Sequence, residues 1–291
     1  MVTHFSTPAT VSVIIVSYNT ADHLMRCLDA VAEQAGVTVH ATVVDNASAD
    51  GSPEAVRRHH PGVDLIANTE NLGFGRANNQ VIRNVTDDYI VFLNPDTQLQ
   101  TDALMAMVAY MERHPDVGLA GGRLANPDGS HQASVEHRYP GQRYTGGRLA
   151  TLPGTIAWVM GAFMIVRRDL VKEIGGFDEQ FFLYGEDIDL CLSIRQRGWA
   201  IGYADDAVAI HWGGESERDS LPEAVMRKKY AAEIRFYEKH YTAAEMTRIK
   251  RKTRLQALWR LAGLTPQMMV APRRSVIRDY HRYRLAWQMF R

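Results

Sequence analysis

Residues 89–97 read YIVFLNPDT. Tyr89 to Leu93 are apolar without alternation, as expected of a strand covered on both faces. The run ends in Asn94-Pro95-Asp96-Thr97, a turn composition that sets a carboxylate at the strand's carboxyl end. The same grammar recurs upstream. Val11–Val16 (VSVIIV) runs into Ser17-Tyr18-Asn19-Thr20, and Val39–Val44 (VHATVV) runs into Asp45-Asn46-Ala47-Ser48. Val63–Ala67 and Val117–Gly121 read as a third and a fifth strand. Between the strands lie helical patterns. One runs from Asp22 to about Ala35. One opens at Ser52-Pro53-Glu54, with proline in its first turn. A third lies within Leu72–Asn84. The fourth covers Thr101–His114, where Leu104, Met107, Val108 and Met111 share a stripe. Strand–helix alternation over about 120 residues predicts an α/β fold with an open, mostly parallel sheet flanked by helices. In such sheets ligands sit beyond the carboxyl ends of the strands. The three polar clusters fall there.

Beyond residue 125 the pattern loosens. Asn126-Pro-Asp-Gly129 signals a turn, and residues 131–153 read as an irregular loop. Trp158–Val166 is predicted as one strand. Arg168–Ile174 is predicted as a short helix stopped by Gly175-Gly176, and Glu186–Arg197 as a helix ending at Gly198. Val208–His211 reads as a last short strand and Pro222–Tyr241 as a helix. The expected organisation is a catalytic domain over 1–240, with halves at about 11–125 and 126–240, and an extension over 241–291.

The charges balance over the whole chain, 33 against 33. Residues 241–291, however, hold 12 Lys/Arg and 2 Asp/Glu, which leaves 21 and 31 for the rest. A split of this kind predicts a tail with its own partner. Leu255, Leu258, Trp259, Leu261 and Leu264 interleave with the basic residues. That fits an amphipathic segment at an anionic membrane surface. It fits equally a helix pair packed on the body, or a homodimer contact. Cys27 and Cys191 lie in helical-looking segments, not in a disulfide framework. No basic-then-apolar leader opens the chain, and the longest apolar run, Ile156–Val166, is too short to span a bilayer. These features predict a cytoplasmic protein, peripheral at the inner face of the cell membrane in the amphipathic reading.

Asp96 alone would be an ordinary turn or cap residue. Asp45, Glu186, Asp187 and His211 give it company, and together they offer oxygen and imidazole ligands for a divalent ion. The ligands are dispersed along the chain, which favours Mg²⁺ or Mn²⁺ shared with a phosphate over a metal enclosed by protein. In NLGFGRAN (71–78), Gly73 and Gly75 permit a tight turn ahead of a helix N-terminus. Arg76 is placed there to meet a phosphate, although a plain loop and helix cap reads as well. In GGFDEQFFLYGEDID (175–189), Phe181, Phe182 and Tyr184 can wall a pocket into which Glu186 and Asp187 point. A partly dry wall raises a carboxylate pKa and makes it a better base. The alternative is that these acids only cap and solvate a helix.

Taken in order, VSVIIVSYN (11–19), VVDNAS (43–48) with Asp50-Gly51, NTENLGFGRANN (68–79), FLNPDT (92–97), WVMGA (158–162), the 175–189 segment and His211 resemble an inverting family 2 glycosyltransferase of the GT-A fold. The likeness is strongest to bacterial rhamnosyltransferases that build cell-surface polysaccharides, and it covers about residues 11–220. It implies that Tyr18 stacks on the nucleotide base with Ser17 and Asn19 beside it. It implies that Asp45 reads the pyrimidine edge and that Asn71 and Arg76 lie on the donor side. The family's pair of acids is represented by Asn94 and Asp96. Asp96 is therefore the firmer metal ligand, and Asn94 is expected near the ribose. Asp187 would be the base with Glu186 as its neighbour, and His211 would complete the metal or diphosphate site. Trp158, Gly161, Ala162 and Tyr184 would line the acceptor side.

The implied reaction is a single inverting displacement from dTDP-L-rhamnose, or from another UDP- or GDP-sugar, to a hydroxyl of a lipid-linked or polysaccharide acceptor. A nucleotidyltransferase would need a basic, glycine-rich loop after the first strand, and a nicotinamide enzyme its glycine fingerprint. Ser17-Tyr18-Asn19 is neither. A non-catalytic sugar-nucleotide-binding protein would need the pocket without the base. Nucleic acid is not an expected partner, because the acidic body would repel its backbone.

Overall fold

The computed structural model describes residues 8–215, 222–270 and 273–291. Most of the N-terminal stretch read for a leader therefore lies outside the described residues. The chain forms two compact units. One comprises Met1–His137, Leu152–Phe182 and Glu186–Arg218, and the other Arg138–Thr151, Leu183–Gly185 and Asp219–Arg291.

The first unit begins as the alternation predicts: β1 (Thr10–Ser17), α1 (Ala21–Ala32), β2 (Thr38–Asp45), α2 (Ser52–His59), β3 (Asp64–Ala67), α3 (Phe74–Ile82) and β4 (Tyr89–Leu93). Then come β5 (Thr97–Leu99), α4 (Ala103–Arg113), β6 (Val117–Ala125), β7 (His131–Gln132), β8 (Val135–Glu136), β9 (Trp158–Val159), β10 (Phe163–Arg167), α5 (Arg168–Ile174), α6 (Glu186–Gln196) and β11 (Ala200–His211). The main sheet runs β3-β2-β1-β4-β10-β6-β11-β5, with β7 on β6. β1 to β4, β6 and β11 share one direction, while β10 enters antiparallel between β4 and β6.

The apolar runs are explained by cover on both faces. Val13, Ile15, Val91 and Leu93 pack with Leu24, Leu28, Leu104 and Met107 on one side. Ile14, Ile90 and Phe92 pack with Val171, Phe177 and Leu190 on the other. With neither face wet, no polar alternation is needed.

Three expectations are corrected. Trp158–Val166 is two strands, because the chain breaks at Met160-Gly161-Ala162. There the Met160 amide donates to the Ser134 carbonyl, 2.8 Å, and the Gly161 amide turns to the Asp187 carboxylate, 3.0 Å. β6 continues past Gly121 to Ala125, ending at the Asn126 turn. The last strand begins at Ala200 and not at Val208. Its exposed Asp205-Asp206 sit in a register shift between Ala204 and Val208, so the strand bulges where the composition looks like a turn.

The second unit holds α7 (Pro222–His240), α8 (Ala243–Val270) and α9 (Arg274–Met289). α8 and α9 lie along each other and α9 also packs on α7. Its core includes Phe236 and Phe290, each almost fully buried, with Tyr139 stacked on Phe236 at 5.9 Å. The Tyr241 hydroxyl donates to the Pro140 carbonyl at 2.8 Å. Gly141 has φ +74°, and a Cβ there would lie 2.7 Å from Ile249 Cδ1, so a larger residue would force α8 away from this turn.

Candidate active site

Strand register decides what meets at the sheet's carboxyl edge. Ser17 pairs with Asp45 across β1 and β2, and Ile15 pairs with Leu93 across β1 and β4. Three strands thus end together, and each runs into one of the polar clusters. β10 starts at the same edge, since Phe163 opposes Leu93 and the Asn94 amide donates to the Ala162 carbonyl at 2.9 Å. β5 is only three residues long, yet it pairs Thr97 with His211 and so carries Asp96 to the end of β11. The Trp212 amide then donates to the Asp96 carbonyl at 3.0 Å.

Asp96 and His211 are both buried, and His211 Nε2 lies 3.4 Å from Asp96 Oδ1. Burial alone would raise the Asp96 pKa. When protonated on the nitrogen that faces Asp96, the His211 ring joins the Glu215 amide in outweighing burial and holds the carboxyl below its ordinary range. His211 Nδ1 meets Gln132 Oε1 at 2.7 Å.

A chain of donors fixes the direction of that bond. The Ser130 hydroxyl donates to Asp128 Oδ1, 2.6 Å, so it accepts from Asn126 Nδ2, 2.9 Å. Asn126 Oδ1 then accepts from Gln132 Nε2, 3.1 Å, which turns Gln132 Oε1 toward His211. An amide oxygen only accepts, so the proton is on His211 Nδ1. In the neutral ring Nε2 therefore presents a lone pair to Asp96. It is buried and has no hydrogen-bond partner. Two electron-rich atoms facing each other in a buried site suit a shared cation. Among the described residues no group of three or more His, Cys, Asp or Glu is arranged to hold a metal ion. The two residues fit an ion whose other ligands come from a bound molecule.

Asp45, also buried, accepts from the Ser48 amide through Oδ2 at 2.9 Å, while Oδ1 is without a partner. Asp187 opens α6. Its Oδ2 accepts from the Gly161 amide at 3.0 Å and its Oδ1 from the Ile188 amide at 2.8 Å. Burial pushes the Asp187 carboxyl up against these bonds. Burial, with the Asp187 charge beside it, pushes Glu186 up as well. Glu186 Oε2 has no hydrogen-bond partner. The result is a basic carboxylate held by backbone at the same edge as an acid–imidazole pair.

The family model described as Glycosyl transferase family 2 matches residues 12–175, more than half of the chain. This protein is a family 2 glycosyltransferase. It is 29% identical over 229 residues to the N-acetylglucosaminyl-diphospho-decaprenol L-rhamnosyltransferase of Mycobacterium tuberculosis, covering 68% of this chain and 75% of that protein. It is 27% identical over 241 residues to rhamnosyltransferase WbbL of Escherichia coli, covering 74% and 88%. The fold is that of the mannosyltransferase PcManGT from Pyrobaculum calidifontis, solved with GDP-Man and Mn²⁺, with a TM-score of 0.55 at 19% identity over 98% of this chain and 74% of that one. The expected GT-A architecture, with C-terminal helices, is the observed one.

Within this glycosyltransferase several expected site residues have structural partners. Ser17 Oγ is 3.0 Å from Thr20 Oγ1. Asn19 has φ 52°, and its Oδ1 accepts from the Ala49 amide at 2.8 Å, tying the loop after β1 to the loop after β2. Tyr18 between them is half-buried. Asn71 Oδ1 accepts from the Gly73 amide, 2.9 Å, and Arg76 faces Glu179 at 3.2 Å, so its cation meets an acid. Ala162 is buried and Trp158 partly so. Phe181 is buried in place of walling an open pocket, while Phe182 is exposed. Tyr184 belongs to the second unit, where Lys229 Nζ lies 4.8 Å from its ring centroid.

Sequence reading missed the supporting residues. Gln132 sits in what reads as irregular loop, and nothing local marks it. Asn79 donates to the Phe177 carbonyl, 2.8 Å, and accepts from the Phe177 amide, 2.9 Å. This side chain stands in for a strand partner and holds the 175–182 segment to α3. Arg195, buried in α6, donates to the Pro153, Leu152 and Gly154 carbonyls at 2.8, 3.0 and 2.9 Å.

Proposed function

We propose that this glycosyltransferase transfers L-rhamnose from dTDP-L-rhamnose, with inversion at the anomeric carbon, to a hydroxyl of a lipid-linked or polysaccharide acceptor. The names of its relatives support the sugar and the lipid-linked acceptor. The observation that carries the reading of the site is the placement of Asp187, clamped by the Gly161 amide, at the edge where Asp45, Asp96 and His211 gather.

Asp187 is the base. Its carboxylate takes the acceptor hydroxyl proton as that oxygen bonds to the anomeric carbon, and the bond to the nucleoside diphosphate breaks on the opposite face. The raised pKa suits the task, because the proton must be held while the new bond forms. Glu186 beside it keeps the pocket poor in charge when protonated. Tyr18, Ser17 and Asn19 frame the base, and Asp45 offers its free Oδ1 to the pyrimidine edge. Asn71 and Arg76 flank the donor, Asn94 the ribose, and Trp158, Gly161 and Ala162 the acceptor.

Asp96 and His211 would hold Mg²⁺ or Mn²⁺, which when bound neutralises the charge gathering on the diphosphate. Residues 1–240 are read as the catalytic domain, with the donor half at about 11–125 and the acceptor half at 126–240. Residues 241–291 are read as an accessory extension.

The test is a panel of nucleotide sugars offered with Mg²⁺ or Mn²⁺ and a lipid-linked diphosphosugar acceptor, followed by mass spectrometry. Transfer from dTDP-L-rhamnose with release of dTDP is expected. Preferred transfer from a UDP- or GDP-sugar would replace the donor assignment. In a parallel assay with a nucleoside triphosphate and a sugar 1-phosphate, release of inorganic diphosphate would point to a nucleotidyltransferase, and binding with no release from any donor to a non-catalytic protein.

A further inference from the structure

α8 is 28 residues long. Its inner face carries the buried Ile249 and Ala257. On the outer face Leu255, Leu258, Trp259, Ala262, Met269 and Val270 are all exposed, Trp259 at 70% and Val270 at 86%. At 100° per residue these six fall within about 120° of one another and form a stripe about 22 Å long. Toward the helix N-terminus the same stripe is continued by exposed Arg248, Arg251 and Lys252. A large aromatic and long aliphatic side chains left open to water along one line mark an interaction surface.

We infer that this stripe of α8 docks in the headgroup region of an anionic lipid surface. Charge chooses the occupant. Residues 241–291 carry 12 basic and 2 acidic side chains, and Arg260, Arg273, Arg274, Arg278, Arg282 and Arg284 are exposed as well. A second copy would bring an equal positive charge against the first, whereas anionic headgroups neutralise it. Exposed Trp259, Leu255 and Leu258 beside basic residues are the side chains that interfacial helices present to headgroups. No helix among the described residues is long and apolar enough to cross a membrane, so contact is from one side. The inference stands on the helix and its charges, independently of the sugar-transfer reading.

The test uses the full chain with phosphatidylcholine vesicles made with and without phosphatidylglycerol, read by co-sedimentation. Binding only to the phosphatidylglycerol vesicles is expected, weakening with salt. The double substitution Leu258→Gln/Trp259→Gln lowers the partition coefficient by about tenfold or more. Arg251→Gln/Lys252→Gln lowers it too and flattens the salt dependence. Equal, weak binding of the unsubstituted protein to both vesicle types overturns the inference, and that comparison stands even where a variant fails to fold. So does a Leu258→Gln/Trp259→Gln protein that is helical by circular dichroism yet binds as the original does. A dimer in sedimentation velocity that this substitution dissolves would give the stripe to a second copy instead.

Discussion

Gln132 fixes the proton of His211 on Nδ1 and leaves Nε2 turned toward Asp96 Oδ1, 3.4 Å away. The relation spans strands far apart in sequence and sets which ring nitrogen faces Asp96.

Gln132→Met should release that constraint. We expect the His211 tautomer to shift toward Nε2–H, where Asp96 becomes its acceptor, visible in two-bond ¹H–¹⁵N correlation spectra without any metal present. Affinity for dTDP in the presence of Mn²⁺, read by calorimetry, should fall by about 10- to 100-fold, while Mn²⁺-free nucleotide binding stays unchanged. An unaltered tautomer in the variant would remove Gln132 from this role.

Asp187→Asn should separate chemistry from binding. The amide keeps the shape and can still accept from Gly161, but it cannot take a proton. Turnover should drop by about 10²–10⁴-fold with dTDP affinity nearly unchanged. Near-normal turnover would mean that another group is the base.

Glu186 makes stability depend on pH in a defined direction. Its folded pKa is raised above the ordinary 4.5, so its contribution is complete below that value and is lost as the pH rises toward neutrality and beyond. Glu186→Gln has no such loss. Its melting temperature should gain on that of the unsubstituted protein between pH 5 and 9. By pH 8 the variant's unfolding free energy, read by urea unfolding at each pH, should have gained about 1–3 kcal/mol on that of the unsubstituted protein relative to pH 5. Parallel melting curves across that range would show that Glu186 titrates as a solvated acid.

The Asn79–Phe177 clamp predicts a purely structural loss. Asn79→Leu strands a buried amide and carbonyl and should cost about 2–4 kcal/mol in urea unfolding. Gly176→Ala should be damaging at the same place, since its Cβ would fall 2.2 Å from Asn79 Oδ1 at a φ of +82°. A neutral Asn79→Leu would show that water replaces the clamp.

The parallel strands and the ends of β1, β2 and β4 were legible because their signal is local: an apolar run followed by turn residues. From that alone Asp45 and Asp96 fall on one edge. The antiparallel entry of β10 was not legible, since strand order depends on contacts between distant segments. β5 was too short to carry a pattern, yet it joins Asp96 to His211. The break at Gly161 escaped notice because its cause, a carboxylate on α6, lies 26 residues away. The ion pair of Arg76 with Glu179 was not legible either, because the two residues lie 103 positions apart in the chain.

The place of β10 has a consequence for biosynthesis. β4 is complete at Leu93, but the strand that covers its open side ends only at Arg167. A ribosome adding about 5–20 residues per second needs several seconds to make the roughly seventy residues between them. Throughout that interval the nascent chain displays an uncapped, wholly apolar strand edge, the kind that recruits other chains. The interval ends only when residues 163–167 emerge and close the gap between β4 and β6.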